Sequence, residues 1–311
     1  MAYTVSDFAQ SLLPLACRIR NTPNLIFLCG GKIASFGAVH GSARDYFYRH
    51  LKAHAPGLAK RVKLAEEVNA WFRSDVFPDL LELEAYLADL SDITILFVES
   101  PGSIAELGAF AASDTLRPRT LAVPTSRFDS ERSFISDGPV RKLRNESDSL
   151  IHTYSWDPSH LQSTDAVAEL AYMAGQLVTL LQARQSTRRK EQRFDPRRPG
   201  HCLLLVSDLV RIAGIITVTD LREVLEAFNC QPDRPVVDRY LSLLESLGFI
   251  NKTHYGTQVF YVQGQATPFI RYNFKGDAPI KDVARIGRAI RDALEPNPRR
   301  ALTAALKKER R

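Results

Sequence analysis

Residues 97–113 read FVESPGSIAELGAFAAS. An apolar, strand-like run breaks at Ser100-Pro101-Gly102-Ser103 and resumes at once with helical spacing. A comparable run upstream, NLIFLCGG (24–31), ends on Gly30-Gly31. Further candidate strands are VKLAEEV (62–68), ITILFVES (93–100), RTLAVP (119–124) and SLIHTYSW (149–156). Between them FPDLLELEAYLADL (77–90) and IAELGAFAAS (104–113) have helical spacing, and DAVAELAYMAGQLVTLLQARQ (165–185) makes a long closing helix. Strands alternating with helices predict an α/β fold with a mainly parallel sheet, and five strands in this order predict a flavodoxin-like one. In that topology the first and third strands flank the switch point, and ligands bind outside their carboxyl ends. The Gly30-Gly31 turn and the turn from Glu99 to Ser103 are therefore expected to face one crevice.

The chain has 311 residues, 45% of them hydrophobic and 24% charged, which allows two domains with cores of their own. No window approaches the roughly 20 apolar residues of a membrane span, and the N-terminus has neither a basic start nor a small-residue cleavage site. A cytoplasmic protein without a membrane partner is expected. Cys17, Cys29, Cys202 and Cys230 are scattered without a C-x-x-C pair, so they read as buried thiols, with no disulfide framework or zinc site.

Charge is distributed unevenly. Residues 1–183 hold 17 Lys and Arg against 21 Asp and Glu, whereas residues 184–311 hold 24 against 14. A local positive field attracts polyanions by counterion release, so nucleic acid is the first partner to consider for the C-terminal part, against the plain alternative of a solvated basic surface. The expected division is an α/β domain over 1–185, a basic linker over 186–200, a helical module over 201–275 and a basic tail over 276–311. In the module, HCLLLVSDLVRIAG (201–214) reads as a helix stopped by Gly214. Asp220 and Glu223 are placed to cap LREVLEAFN (221–229), and Pro235 opens PVVDRYLSLLESL (235–247). FINKTHYGTQVFYVQG (249–264) follows as two strands. Three helices and a hairpin predict a winged helix-turn-helix. The tail carries an amphipathic basic helix, IKDVARIGRAIRDAL (280–294).

The opening stretch has two readings. Ser103 and Glu106 fit S-x-x-E, a capping box that needs no substrate. A Pro-Gly turn at the carboxyl end of a central strand, beside a second glycine turn, is also what a ligand approaching backbone N–H groups requires. The residues alone leave both open.

FLCGG, then ILFVESPGSIAELGAF, then RSFISDGPVRKL (132–143), followed by a basic winged helix, resembles the effector proteins of retrons, anti-phage systems built on a reverse transcriptase and its RNA-linked single-stranded DNA. The resemblance covers most of the chain. It implies an N-terminal domain similar to nucleoside deoxyribosyltransferases, in which Gly30 matches the first-strand glycine and Gly102-Ser103 a Gly-Thr pair. Glu106-Leu107-Gly108 then matches the segment bearing the nucleophilic Glu. Where those transferases have Asp two residues before the Gly, this chain has Ser100, with Glu99 just before it.

The implied chemistry is cleavage of an N-glycosidic bond, in which positive charge develops at the anomeric carbon and a carboxylate stabilises or attacks it. Glu106 is the expected nucleophile, ionised at a helix N-terminus, and Glu99 is the second acid. Gly30, Gly31, Ser100, Gly102 and Ser103 are the expected substrate contacts. The nicotinamide of NAD is already cationic and leaves without an acid, which favours NAD over other nucleotides as substrate; no cofactor is expected. The resemblance further implies a growth-halting toxin held by the reverse transcriptase and its RNA-linked DNA, in a homo-oligomer or larger assembly. A nucleotide-sensing regulator without catalysis and a structural subunit with a vestigial pocket are the alternatives.

Other candidates carry plainer readings. His50 and His54 are four apart on a helix but lack a third ligand, so they read as surface histidines, as His40 does in its loop. Arg132, Ser133 and the Asp137-Gly138 turn could hold a phosphate or simply form a loop. The third helix of the module presents Asp238, Arg239, Ser242 and Glu245, a mixed face unsuited to base reading. Backbone contacts to nucleic acid are expected instead from the linker residues Arg188, Arg189, Lys190, Arg193, Arg197 and Arg198, with Arg285, Arg288 and Arg291 of the tail.

Overall fold

The computed structural model describes all residues except 1–2, 35–39, 127, 129–131, 157–162, 187–190, 231–232, 265–266, 297, 299 and 301–311. It divides into two compact units that do not follow a single cut in the chain. One comprises Pro23–Ala70 and Asp79–Arg188; the other comprises Met1–Thr22, Trp71–Pro78 and Arg189–Arg311.

The first unit is an α/β layer structure. Strands β1 (Ile26–Cys29), β2 (Val62–Leu64), β3 (Ile93–Val98) and β4 (Thr120–Pro124) form a parallel sheet in the order β2-β1-β3-β4. This order is compatible with a flavodoxin-like sheet. β1, β3 and β4 are buried along their whole length, which is why they read as continuous apolar runs rather than alternating ones. The fifth expected strand is reduced to two parallel bridges, Ala122 with Ile151 and Thr125 with Tyr154. The weak strand over 62–68 stops at Leu64, and helix α2 (Ala65–Trp71) takes the rest.

Helices α1 (Ala43–His54) and α5 (Thr164–Ser186) cover one face, where Phe47 and Leu51 meet Ile26, Leu28, Ile95, Phe97, Met173 and Leu177 in one core. The alternate residues Phe27, Cys29, Leu96 and Val98 are also buried and point to the opposite face, the side on which α4 (Pro101–Ala112) packs against β3. Contrary to the sequence expectation, α5 is long and apolar enough over Thr164–Arg184 to cross a membrane by length and composition. Its Leu170, Met173 and Leu177 are buried in the core just described.

Helix starts differ from the sequence reading where a cap lies further upstream. α3 (Leu80–Leu90) begins after Asp79, whose side chain accepts from the Glu82 N–H, and not at Phe77. In the second unit α6 (Pro199–Ala213) starts inside the expected linker, because Pro199 takes the first turn. α7 (Val218–Ala227) is capped by Thr217 with Asp220 as its reciprocal partner, three residues ahead of the expected box. α8 (Arg234–Ser246) follows. The expected hairpin is present as β6 (Ile250–Tyr255) and β7 (Gln258–Gln263), turning at Gly256 with φ +60°, and β5 (Ile215–Ile216) completes an antiparallel sheet in the order β5-β7-β6. α9 (Val283–Asp292) seats Ile286, Gly287 and Ile290 in the interior.

The linker also contributes structure. Gln192–Arg193 pairs with Arg18–Ile19, which pairs in turn with Ile270–Arg271, forming a small antiparallel sheet. The N-terminal residues thus belong to the second unit. All four cysteines are buried and free, with the sulfurs of Cys202 and Cys230 2.9 Å apart.

Candidate active site

The site forms where β1 and β3 end. Gly30 has φ +139°, and a Cβ there would lie 2.7 Å from Phe97 Cβ and 2.8 Å from the Phe97 carbonyl oxygen. A Cβ on Gly31 would lie 2.8 Å from Glu99 Oε1. The space that these glycines leave is filled by the chain itself. Close packing is thus sufficient reason for glycine at both positions.

Glu99 closes this turn. Its Oε1 accepts the Gly31 and Arg44 N–H groups, both at 3.1 Å, and its Oε2 accepts the Ala43 N–H at 2.8 Å. Ala43 and Arg44 open α1 behind the Ser42 cap, so the carboxylate neutralises free N–H groups at a helix start. Burial pushes the Glu99 pKa up and the three backbone N–H groups oppose that. With both oxygens accepting backbone N–H groups, Glu99 holds the two loops together.

Arg44 ties the same elements from below. It is fully buried; its Nη1 donates to the Gly30 and Gly31 carbonyls at 3.2 and 3.0 Å, and its Nη2 pairs with Glu66 on α2. Its Nε is buried without a partner among the described residues.

The opening stretch folds differently from the S-x-x-E reading. Pro101 occupies the first turn, so the cap is Ser100, and its Oγ accepts the Ser103 N–H at 3.2 Å. Ser103 reciprocates, accepting the Ser100 N–H at 2.9 Å and the Glu99 N–H at 3.0 Å while donating to the Ser100 carbonyl at 2.8 Å. Both serines are thereby used by the backbone. Glu106 takes no part in the cap, since it is the sixth residue of α4. Gly102 is exposed, with nothing nearer to a Cβ than Ser100 Oγ at 3.9 Å, so this position stays open to a ligand.

Glu106 Oε2 is buried and has no hydrogen-bond partner among the described residues. Its pKa is raised to about 8, first by burial and then by Glu84, with Arg44 opposing. Glu84, on the buried stripe of α3, is raised to about 7 by burial, again opposed by Arg44. Mutual repulsion falls on whichever carboxyl ionises second, so these two values belong to the pair. The expectation that Glu106 stays ionised is thus overturned. Stabilisation by a helix end fades within the first turn, and Glu106 lies beyond it beside a second carboxyl. Nearby Cys29 is pushed well up by burial, then by Glu106 and Glu84.

Sequence reasoning missed Glu84, Arg44 and Glu66. Glu84 had a visible signal: with Leu83, Leu87 and Ala88 it lies on the apolar stripe of its helix, where a carboxylate is costly without a purpose. Arg44 and Glu66 had none, because only the fold brings them to β1.

The remaining candidates are placed as follows. His50 and His54 stack with ring centroids 4.2 Å apart, and His40 lies 4.8 Å from Tyr46. Among the described residues no group of three or more His, Cys, Asp or Glu is arranged to hold a metal. Arg132 pairs with Asp137 at 3.4 Å on the surface. Arg188, Arg189 and Lys190 lie outside the described residues. Arg193 is exposed, Arg197 is bound to Asp195 at 3.0 Å, and Arg198 donates to Gln192 at 3.3 Å. Arg285 and Arg288 are exposed, whereas Arg291 donates to the Ile212 carbonyl at 2.8 Å near the end of α6. On α8, Arg239 donates to the Val76 carbonyl at 3.3 Å and Asp238 pairs with Arg234.

Comparison with known proteins adds three findings. Residues 40–252 match the family model described as STM3845 retron effector protein. A retron Ec86 protein of Escherichia coli, described as a candidate ribosyltransferase/DNA-binding protein, is 39% identical over 128 residues, 38% of this chain and 37% of its own length. A retron Ec73 protein of the same organism and description is 26% identical over 153 residues, 47% of this chain and 48% of its own length. The chain thus spans less than half the length of either relative.

Proposed function

The chain belongs to the STM3845 retron effector family, and on that premise we propose that its α/β unit is an N-glycosidase that cleaves a nucleotide, NAD first among the candidates, with Glu106 as the nucleophile. The observation that carries this reading is the buried, unpartnered Glu106 Oε2 beside the open turn at Gly102. The description of the two E. coli relatives, ribosyltransferase/DNA-binding, supports glycosyl transfer.

The carboxyl pair determines how such a step runs. Burial disfavours the charged form of both Glu84 and Glu106. A cationic nicotinamide ribosyl group supplies the missing positive charge, so Glu106 ionises as substrate enters and its proton passes to water. Glu106 then attacks the anomeric carbon as the C–N bond breaks, nicotinamide leaves neutral, and water attacks the glycosyl-enzyme ester to regenerate the carboxyl. Glu99, Ser100 and Ser103 position the turn without touching the reacting atoms. The raised pKa values favour one second reading: a carboxyl protonated at neutral pH could instead donate to a purine leaving group, which would make a purine nucleotide the substrate.

We read the second unit as a winged helix-turn-helix, supported by the succession α6, α7, α8 and the β6–β7 hairpin. In this proposal it engages the retron reverse transcriptase and its RNA-linked single-stranded DNA, which restrain the toxin in the cytoplasm, in a homo-oligomer or larger assembly. Expression in cells tests the enzymatic part. The wild-type chain is expected to arrest growth while cellular NAD falls, and Glu106→Gln to do neither. Arrest with constant NAD would shift the substrate to another nucleotide, and arrest by folded Glu106→Gln would refute the enzyme in favour of a nucleotide sensor.

A further inference from the structure

The small antiparallel sheet of the second unit places three arginines abreast. Arg18 is the direct cross-strand partner of Arg271 on one side and of Arg193 on the other. Side chains at paired positions share one face of a sheet. The adjacent pairs, Ile19 with Ile270 and with Gln192, lie on the other face, where Ile19 and Ile270 are buried. The arginines therefore stand on the outer face: Arg193 and Arg271 are exposed and Arg18 is half-buried.

Like charges directly opposite one another destabilise a sheet. Here three are retained, with a single acidic partner in the row among the described residues, Glu191 on Arg271 at 3.0 Å at the surface. Arg18 Nη1 donates to the Ala16 and Cys17 carbonyls, leaving its other N–H donors uncommitted among the described residues. Arg193 has no ion-pair partner among them.

The face between α8 and the hairpin, where a winged helix would ordinarily meet nucleic acid, is electrically balanced by contrast. Arg73, Arg234 and Lys252 are matched there by Asp75, Asp238 and Glu245, and two of the arginines are already paired, Arg73 with Asp75 at 2.7 Å and Arg234 with Asp238 at 2.9 Å.

We propose that the row Arg193, Arg18 and Arg271 is a docking strip for the phosphodiester backbone of single-stranded DNA. The inference rests on the nucleic-acid reading above and names the surface that serves it. With strands about 4.8 Å apart the row spans about 10 Å, long enough to meet more than one phosphate of a single strand. Guanidinium groups contact phosphate oxygens in pairs of N–H donors and read no sequence in doing so.

Fluorescence anisotropy of a labelled oligothymidylate with the full chain, over a series of salt concentrations, tests the strip. R193E/R271E is expected to weaken binding about tenfold or more near 0.1 M salt and to flatten the salt dependence by roughly 0.7 for each phosphate no longer neutralised. R234E/K252E is expected to bind as the wild type. R193Q should lose affinity while melting at the same temperature as the wild type or higher, because it relieves like-charge repulsion. Unchanged binding by R193E/R271E, or a lower melting temperature in R193Q with affinity intact, would overturn the strip. Loss in R234E/K252E alone would overturn it while sparing the nucleic-acid reading, and a wild type that does not bind at all would overturn both.

Discussion

Replacing Glu106 by Gln exchanges a buried carboxyl that must ionise as pH rises for an amide of the same shape that never does. The folded-state pKa of about 8 lies above the 4.5 of the free group, so the folded chain holds a proton that the unfolded chain releases. Below about 4.5 both states are protonated and the two proteins should be equally stable. Between 4.5 and 8 the unfolded state binds fewer protons, so wild-type stability falls with pH, and above 8 the whole loss is in place. Raising this pKa from 4.5 to about 8 corresponds to about 5 kcal/mol. Partial solvent contact screens the site, and about 3 kcal/mol is the expected advantage of Glu106→Gln at pH 9. For a unit of this size that is near 10 °C in melting temperature. Calorimetric melts of both proteins from pH 5 to pH 9 measure it: the curves should coincide at acid pH and diverge upward for the mutant. Parallel curves, or a mutant less stable throughout, would refute the burial argument.

Three further outcomes follow from the same geometry. Ser103→Ala leaves the Glu99 and Ser100 N–H groups without their acceptor in a buried turn, and should cost about 1–3 kcal/mol in a denaturant titration, with activity falling only in proportion to unfolded protein. Gly102→Leu adds a side chain in open space, so stability should stay within about 0.5 kcal/mol while kcat/KM falls steeply; equal activity would remove Gly102 from the ligand path. For a cationic substrate kcat/KM should rise with pH through 7 to 8, the range of the carboxyl pair, whereas a rate that falls over that range would assign the pair to acid catalysis on a purine.

Much of the α/β unit was legible because its central strands are buried on both faces and read as near-continuous apolar runs. ITILFV and TLAVP therefore appear within a residue or two of their observed ends. The start of α4 was displaced by three residues because S-x-x-E fits Ser103 and Glu106 as well as the observed Ser100 and Ser103 box fits its own positions; Pro101 in the first turn decides between them. The small sheet was illegible. Its strands are two residues long and come from positions as distant as Arg18 and Arg271, so no local periodicity marks them. At the site, the motif located Glu106, but its protonation depends on Glu84 and Arg44, which reach it from separate helices. Nor does a sequence show that the Glu99 oxygens accept three backbone N–H groups.

The central claim is that Glu106 breaks an N-glycosidic bond. Purified chain incubated with NAD labelled in the nicotinamide ring, with products separated by chromatography, measures that bond directly. The account predicts release of free nicotinamide by the wild type and a loss of orders of magnitude in Glu106→Gln that melts as a folded protein. Nicotinamide release by folded Glu106→Gln at the wild-type rate would contradict it.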